Sequence, residues 1–515
     1  MKESNTINQK IGKATAWSSI TEIVAKLISP IVNIILARLL APEAFGLVAT
    51  ITMVISFAEV FTDAGFQKYI IQHEFKDEEA LNKSTNVAFW TNFSLSIFVC
   101  IIIFIFRHNI ATFVGNSELG NSISIASLLI IIVAFSSIQA ARCKRDFDFK
   151  TLFFARIGSS LIPLIITIPL AVILKNYWAL LIGNMASNLF TAIILTIKSK
   201  WKPSFFYDFK LFKEMFSFSA WTLLESISIW LTLNIGTFIV GNYLDDYYLG
   251  LYKTSIATIN SYMSIITSAI IPVLFSGLSR YQNDEENFQK TYYTFQRIVA
   301  IFILPMGAGV FIFSDLVTKI LLGSQWMEAS GFIGLWGATS AIIVLFSNFA
   351  SEAYRSKGNP KVSLFAQLSH LIFIVPAILI SIDYGFQCLY ITRSLIRVEL
   401  VIFNLIVMRI LYKFKFRDLL KNIFPMLIST LIMGLAGYGL EVISENILWQ
   451  IVAVVICIVI YFASLFLIFP KTRKEIFEMK AIKKITNKLF KKRKSSKPIE
   501  SEQSDIEKNM DEIKK

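Results

Sequence analysis

Apolar runs of about twenty residues, separated by short polar connections, recur along most of the chain, which is the length a helix needs to cross the hydrocarbon core of a bilayer. Ser94 to Phe106, Leu161 to Leu174 and Ile451 to Phe469 carry no charge at all. The pattern predicts fourteen spans, near 16–40, 44–64, 84–106, 121–141, 152–174, 176–197, 216–240, 248–272, 293–313, 330–350, 361–381, 386–410, 423–440 and 447–469. The second, eighth and twelfth carry internal charges. The fold class is therefore all-α, a polytopic membrane protein. No soluble core buries so many separate apolar runs, and the first run, holding Glu22 and Lys26, reads as a mature span, not a cleaved signal.

Charge tests that count. With the N-terminus in the cytoplasm, the even-numbered connections and their flanks hold 24 Lys and Arg, from Lys68 to Lys421, and the odd-numbered ones hold 5: Arg38, Arg107, Lys175, Lys253 and Lys319. Such a bias puts both termini inside. Ala16-Trp17-Ser18 recurs as Ala220-Trp221-Thr222, and Leu40 with Gly46-Leu47 recurs as Leu244 with Gly250-Leu251, at a constant offset of 204. Six spans separate the copies, so the halves should share one orientation about an axis along the membrane normal. The expected organisation is an N-terminal lobe (1–197), an interfacial linker (198–215), a C-terminal lobe (216–410), a final helix pair (411–470) and a tail (471–515). Between Lys471 and Lys497 the tail carries 12 Lys/Arg and 2 Glu, with apolar residues at near-helical spacing, and reads as an amphipathic segment on anionic lipid. Its last residues, 498–515, are polar and read as disordered.

Of the 515 residues, 55% are hydrophobic and 17% charged, with a net charge of +14. Because the cations sit in short loops and the tail, the balance points to a membrane surface, with no nucleic-acid partner. Cys100, Cys143, Cys388 and Cys457 are far apart and form no disulfide framework, and His73, His108 and His370 are too scattered to suggest a metal site. No phosphate-binding loop or catalytic motif is present, so neither a cofactor nor a catalytic residue is expected.

Polar stripes stand out instead. Glu22, Lys26, Ser29 and Asn33 share one face of the first span, and Thr52, Ser56, Glu59 and Asp63 one face of the second. Glu225, Ser228, Thr232 and Gly236 follow in the seventh, and Lys253, Asn260, Ser264 and Thr267 in the eighth. These four helices begin the two lobes and are expected to line a hydrophilic cavity between them, with Arg38 a further cavity candidate. Single hydroxyls equally serve helix–helix packing. Arg393 and Arg397 in the twelfth span either bind an anionic head group or pair with Glu399. Arg156, Arg280, Arg297 and Arg355 read as topology anchors or as a basic vestibule for phosphate. Pro30, Pro163, Pro169, Pro272, Pro305 and Pro376 are kink candidates.

At Ala37-Arg38-Leu39-Leu40-Ala41-Pro42-Glu43-Ala44-Phe45-Gly46-Leu47 the chain resembles the polysaccharide transporter family, whose signature is an "ARLL-P-FG" pattern. Phe61-Thr62-Asp63-Ala64-Gly65-Phe66 resembles that family's turn after the second span. Arg142 to Phe149 resembles its basic-aromatic loop, and Arg355 to Asn359 its loop after span ten. The resemblance extends over most of residues 1–470 and is to a Wzx-type flippase, of the kind that exports colanic or teichuronic acid repeat units, in the multidrug/oligosaccharidyl-lipid/polysaccharide superfamily. It implies a two-lobed transporter in the bacterial inner membrane. Such a protein moves undecaprenyl-pyrophosphate-linked oligosaccharides by alternating access, with a coupling ion or membrane potential and polysaccharide assembly proteins as partners. A purely cationic pyrophosphate site is not evident, because the stripes mix signs. A drug/cation antiporter of the same superfamily and a membrane polymerase or ligase are the other classes. The span count and the first motif argue against the former, and the short external connections against the latter.

Overall fold

The computed structural model describes residues 17, 21, 24–63, 65–470 and 472–473. Glu22 and the tail beyond residue 473 lie outside the described residues, as do the side chains of Asp63 and Glu225. The chain folds into α1 (24–39), α2 (Pro42–Asp63), α3 (Glu78–Ile105), α4 (Ser117–Arg145) and α5 (Phe149–Leu174). There follow α6 (Trp178–Lys198), α7 (Phe209–Tyr243), α8 (Asp246–Arg280), α9 (Glu285–Ile312) and α10 (Ser324–Ser356). Last come α11 (Pro360–Ile382), α12 (Gly385–Leu395 continued by Arg397–Tyr412), α13 (Phe416–Glu441) and α14 (Ile447–Ile468). Among the described residues, 11 of these stretches are long and apolar enough to cross a membrane; α1, α7 and α12 complete a set consistent with the expected fourteen.

Local chemistry explains the helix starts. A run of apolar residues fixes no boundary by itself, and at several of the starts a side chain accepts from the free first-turn N–H groups. Asp77 accepts from the Ala80 N–H at 2.7 Å, Asp208 from Lys210 at 2.7 Å, Asp245 from Tyr248 at 3.0 Å and Asp284 from Asn287 at 3.1 Å. Asp208 therefore starts α7 seven residues before the expected span, inside the segment read as a linker. Of the prolines, Pro163 opens a wide turn over Pro163–Thr167 within α5, whereas Pro272, Pro305 and Pro376 lie inside continuous helices.

Helices α1–α6 form one lobe and α7–α12 the other, and the final pair packs on α9. Asn422 of α13 donates to the Tyr293 carbonyl at 2.8 Å and to Gln296 at 3.1 Å, and the Tyr461 hydroxyl of α14 donates to the Ile301 carbonyl at 2.8 Å. The largest buried cluster runs through the second lobe and this pair, around Trp326, Tyr292, Tyr354 and Phe349. On the outside of the bundle large apolar side chains are bare: Ile173 is 73% exposed and Leu435 78%. In water that surface would be very unfavourable, and against lipid tails it costs nothing. The chain is a multi-pass membrane protein.

Candidate functional site

The two lobes meet at the end of the bundle that carries few basic residues. There α2 crosses α8 at Gly46 and Gly250, the two glycines related by the repeat. A Cβ on Gly46 would lie 1.9 Å from the Asp246 carbonyl oxygen, and one on Gly250 would lie 1.9 Å from that of Pro42. Only hydrogen at these positions lets the backbones approach so closely. Around the crossing, Gln325 donates to the Ala37 and Leu40 carbonyls at 2.7 and 2.8 Å, and the Trp326 indole N–H donates to Ala37 at 2.7 Å. Asn116 donates to Asp246 at 2.7 Å, and Phe45 meets Trp326 edge-on at 5.2 Å. Arg38 belongs to this seam. Its guanidinium donates to the Ile320 carbonyl of the short helix Ser314–Leu321, and the end of α1 is thereby tied to the other lobe.

Toward the basic end, α7 lies along the first lobe. The Trp230 indole donates to Ser56 at 3.0 Å and packs on Phe57, and Tyr69 bonds Glu214 at 3.5 Å. Burial and then the Glu214 carboxylate push the Tyr69 phenol up to about 12, so it remains a donor. The basic-aromatic loop is occupied structurally. Buried Arg142 reaches Glu78 at 3.0 Å and Asn82 at 3.1 Å, while Arg145 donates to the Ile70 and His73 carbonyls at 2.8 Å each and stacks over Phe75. It thereby satisfies carbonyls at the end of the short helix Phe66–Gln72. The linker docks on α3, where Asn86 clasps Ser204 through its amide nitrogen at 2.8 Å and its oxygen at 3.0 Å. Trp90 donates to the Ser204 carbonyl and stacks on Phe205.

Between these ends lie the stripes. Lys26 and Glu59 are half-buried on α1 and α2, Asn33 and Thr52 are exposed, and on α8 Lys253 is half-buried while Asn260 is exposed. Exposed amides and hydroxyls partway along a bilayer-spanning helix require water, a neighbour or a ligand. The four vestibule candidates separate. Arg156 and Arg280 are exposed, Arg355 binds Glu352 at 3.1 Å, and Arg297 donates to Asn422 of α13 at 2.8 and 3.0 Å.

A second cluster forms inside the C-terminal lobe. Trp336 of α10 lies beneath both α12 arginines, 4.9 Å from Arg393 and 3.8 Å from Arg397, and its indole N–H donates to Asn260 at 3.2 Å. Arg393 donates to the Tyr252 hydroxyl at 3.0 Å, and Arg397 to Ser340 at 2.9 Å and Thr339 at 3.2 Å. Lys253 follows Tyr252 on α8 and adds a further cation to this part of the lobe. Among the described residues none of these three cations has a carboxylate within ion-pair distance. Glu399, the sequence-predicted partner, instead bonds His370 at 3.0 Å and Ser369 at 3.4 Å. Each charge at such depth costs roughly 2.5–3.5 kcal/mol to insert, whereas a cation–π contact returns roughly 0.5–2 kcal/mol. Tyr252, Trp336 and His370 were not picked out as site residues from the sequence. The arginine spacing hinted at this site, but a tryptophan in an apolar run gives no signal of what will lie above it.

Among the described residues no group of His, Cys, Asp and Glu could hold a metal ion. A family model described as polysaccharide biosynthesis protein matches residues 35–331, more than half the chain. The chain is 24% identical over 346 residues to the succinoglycan biosynthesis transport protein ExoT of Rhizobium meliloti, covering 67% of this chain and 69% of that one. It is 21% identical over 365 residues to the lipopolysaccharide biosynthesis protein WzxC of Escherichia coli, covering 70% of each. Among solved structures, the lipid II flippase MurJ in an inward closed conformation superposes with a TM-score of 0.73 at 15% identity, over 89% of this chain and 99% of that one. The two-lobed fold is thus shared with a flippase, and the chain belongs to the polysaccharide biosynthesis protein family.

Proposed function

We propose that this protein is a flippase that carries lipid-linked oligosaccharide repeat units, on an undecaprenyl-pyrophosphate carrier, across the bacterial inner membrane for polysaccharide export. The observation that carries the reading is the closed seam at one end. The lobes are fastened across Gly46 and Gly250 at the basic-poor end, and below that fastening four helices present polar faces. With the basic loops in the cytoplasm, the seam is periplasmic, and an inward-opening cavity between the lobes would be bounded on one side by α7, which lies along the first lobe toward the basic end. Releasing the seam while closing the opposite end gives alternating access, with the same lobes rocking about the same cavity.

The physical need fits this geometry. The prenyl tail remains in the bilayer, and only the sugars and diphosphate must cross. Taking those groups through hydrocarbon strips many hydrogen bonds, at roughly 2–7 kcal/mol per unpaired polar group. A cavity lined by Lys26, Asn33, Glu59, Lys253 and Asn260 would offer replacement partners. The roles for which those relatives are named, succinoglycan transport and lipopolysaccharide biosynthesis, support the same class of cargo. The test is a repeat-unit transport assay in cells that lack the cognate polymerase. Repeat units should reach the periplasmic leaflet when the protein is present and collect on the cytoplasmic face when it is depleted. Units that still cross in its absence, and fail only to polymerise, would make the chain a polymerase or ligase.

A further inference from the structure

We propose that Lys253, Arg393 and Arg397 form a diphosphate site inside the C-terminal lobe, reached from the cavity beside Asn260. This deepens the flippase reading and rests on it. Two guanidiniums from α12 lie over one indole, Lys253 stands on α8 next to the Tyr252 that Arg393 bonds, and among the described residues no carboxylate lies within ion-pair reach of any of the three. The carboxylate nearest in sequence, Glu399, is turned to His370 and Ser369. Like charges held together in a bilayer-spanning lobe repel one another, and an indole face and hydroxyl groups offset that only in part. A multivalent anion would neutralise the cluster.

The hydrogen-bonding geometry narrows the anion to a phosphate type. Nη1 of Arg393 is buried without an acceptor, although the Nε of the same group is engaged by Tyr252. A guanidinium with one edge occupied and another donor free is prepared for an oxyanion, which takes paired N–H donors as a fork. Arg397 is fixed by Ser340 and Thr339, and both guanidiniums rest on Trp336, so their planes are set before a ligand arrives. Access follows from Asn260. It is exposed, it shares a helix face with Lys253 seven residues before it, and it accepts the Trp336 N–H. The polar stripe of α8 thus leads from the open surface to the floor of the arginine pair. A diphosphate entering there leaves its glycan in the cavity between the lobes.

The experiment uses the full-length protein in nanodiscs of neutral lipid. Undecaprenyl pyrophosphate binding is measured with inorganic pyrophosphate as competitor and, separately, with anionic phosphatidylglycerol added to the disc. The expected result is binding that pyrophosphate displaces and phosphatidylglycerol does not. Affinity should fall at least tenfold in Arg393→Gln and Arg397→Gln and be partly restored in Arg397→Lys. Asn260→Asp places a carboxylate at the exposed mouth without touching a buried cation; it should weaken binding similarly while leaving the melting temperature unchanged, which covers the case in which an arginine variant fails to fold. Equal affinity in wild type and Asn260→Asp, or displacement by phosphatidylglycerol as effective as by pyrophosphate, would overturn the site. The two readings fail separately. If the arginine variants transport repeat units normally, only the diphosphate site is lost, whereas a wild type that moves no repeat units removes the flippase reading itself.

Discussion

Substituting Gly46 with alanine tests how the lobes are held together. The new methyl would sit 1.9 Å from the Asp246 carbonyl oxygen and 2.8 Å from its carbon, where ordinary contact begins at 3.4 Å. The two helices must therefore recede by about 1.5 Å at the crossing. The obstruction is backbone on both sides, so no rotamer change relieves it. Overpacking of this kind costs ~1–3 kcal/mol, and that cost falls only on the state in which α2 and α8 touch. The ratio of closed to open seam should drop by about fivefold to about 150-fold. Spin labels at Ala41→Cys and Lys319→Cys, both exposed and on opposite sides of the seam, report this by pulsed electron–electron resonance after the four native cysteines are replaced. Gly46→Ala should add a longer distance and slow repeat-unit transport, with membrane abundance near normal. Gly250→Ala meets the Pro42 carbonyl at the same α2–α8 crossing, so the double variant should do little more than either single one. An unchanged distance distribution with normal transport would show that the crossing does not hold the seam, and the argument from glycine contact would fail.

Lys26→Ala should lower repeat-unit transport while leaving membrane abundance near normal; transport at the wild-type level, or loss of the protein from the membrane, would favour a purely structural role. A reporter fused after Lys471 should be active only in the cytoplasm, and activity confined to the periplasm would invert the topology drawn from the loop charges. Deleting residues 474–515 should leave insertion and substantial transport intact, because those residues follow the last span; their basic stretch contributes about 1 kcal/mol per cation at most to surface attachment. A truncated protein that inserts but moves no repeat units would place the tail within the transport cycle.

The succession of charge-free runs and the loop bias announced an all-helical membrane protein, since a bilayer imposes length and composition on each span separately. The repeat at offset 204 was legible for the same reason: it is written in linear order. Four helix faces could be read as stripes because helical periodicity is local. What those faces meet is not local. Nothing in the order of residues says that Gly46 and Gly250 would touch each other, that Arg38 would reach the Ile320 carbonyl across the seam, or that Glu399 would turn to His370 and leave the arginines to Trp336. Apolar packing and interhelical hydrogen bonds choose among many pairings of similar local pattern, and that choice is made only when the helices assemble. The sequence by itself determined the helices, their lipid-facing character and their doubling; the tertiary structure decided which end is shut and which charges are gathered, because both depend on side chains brought together from distant parts of the chain.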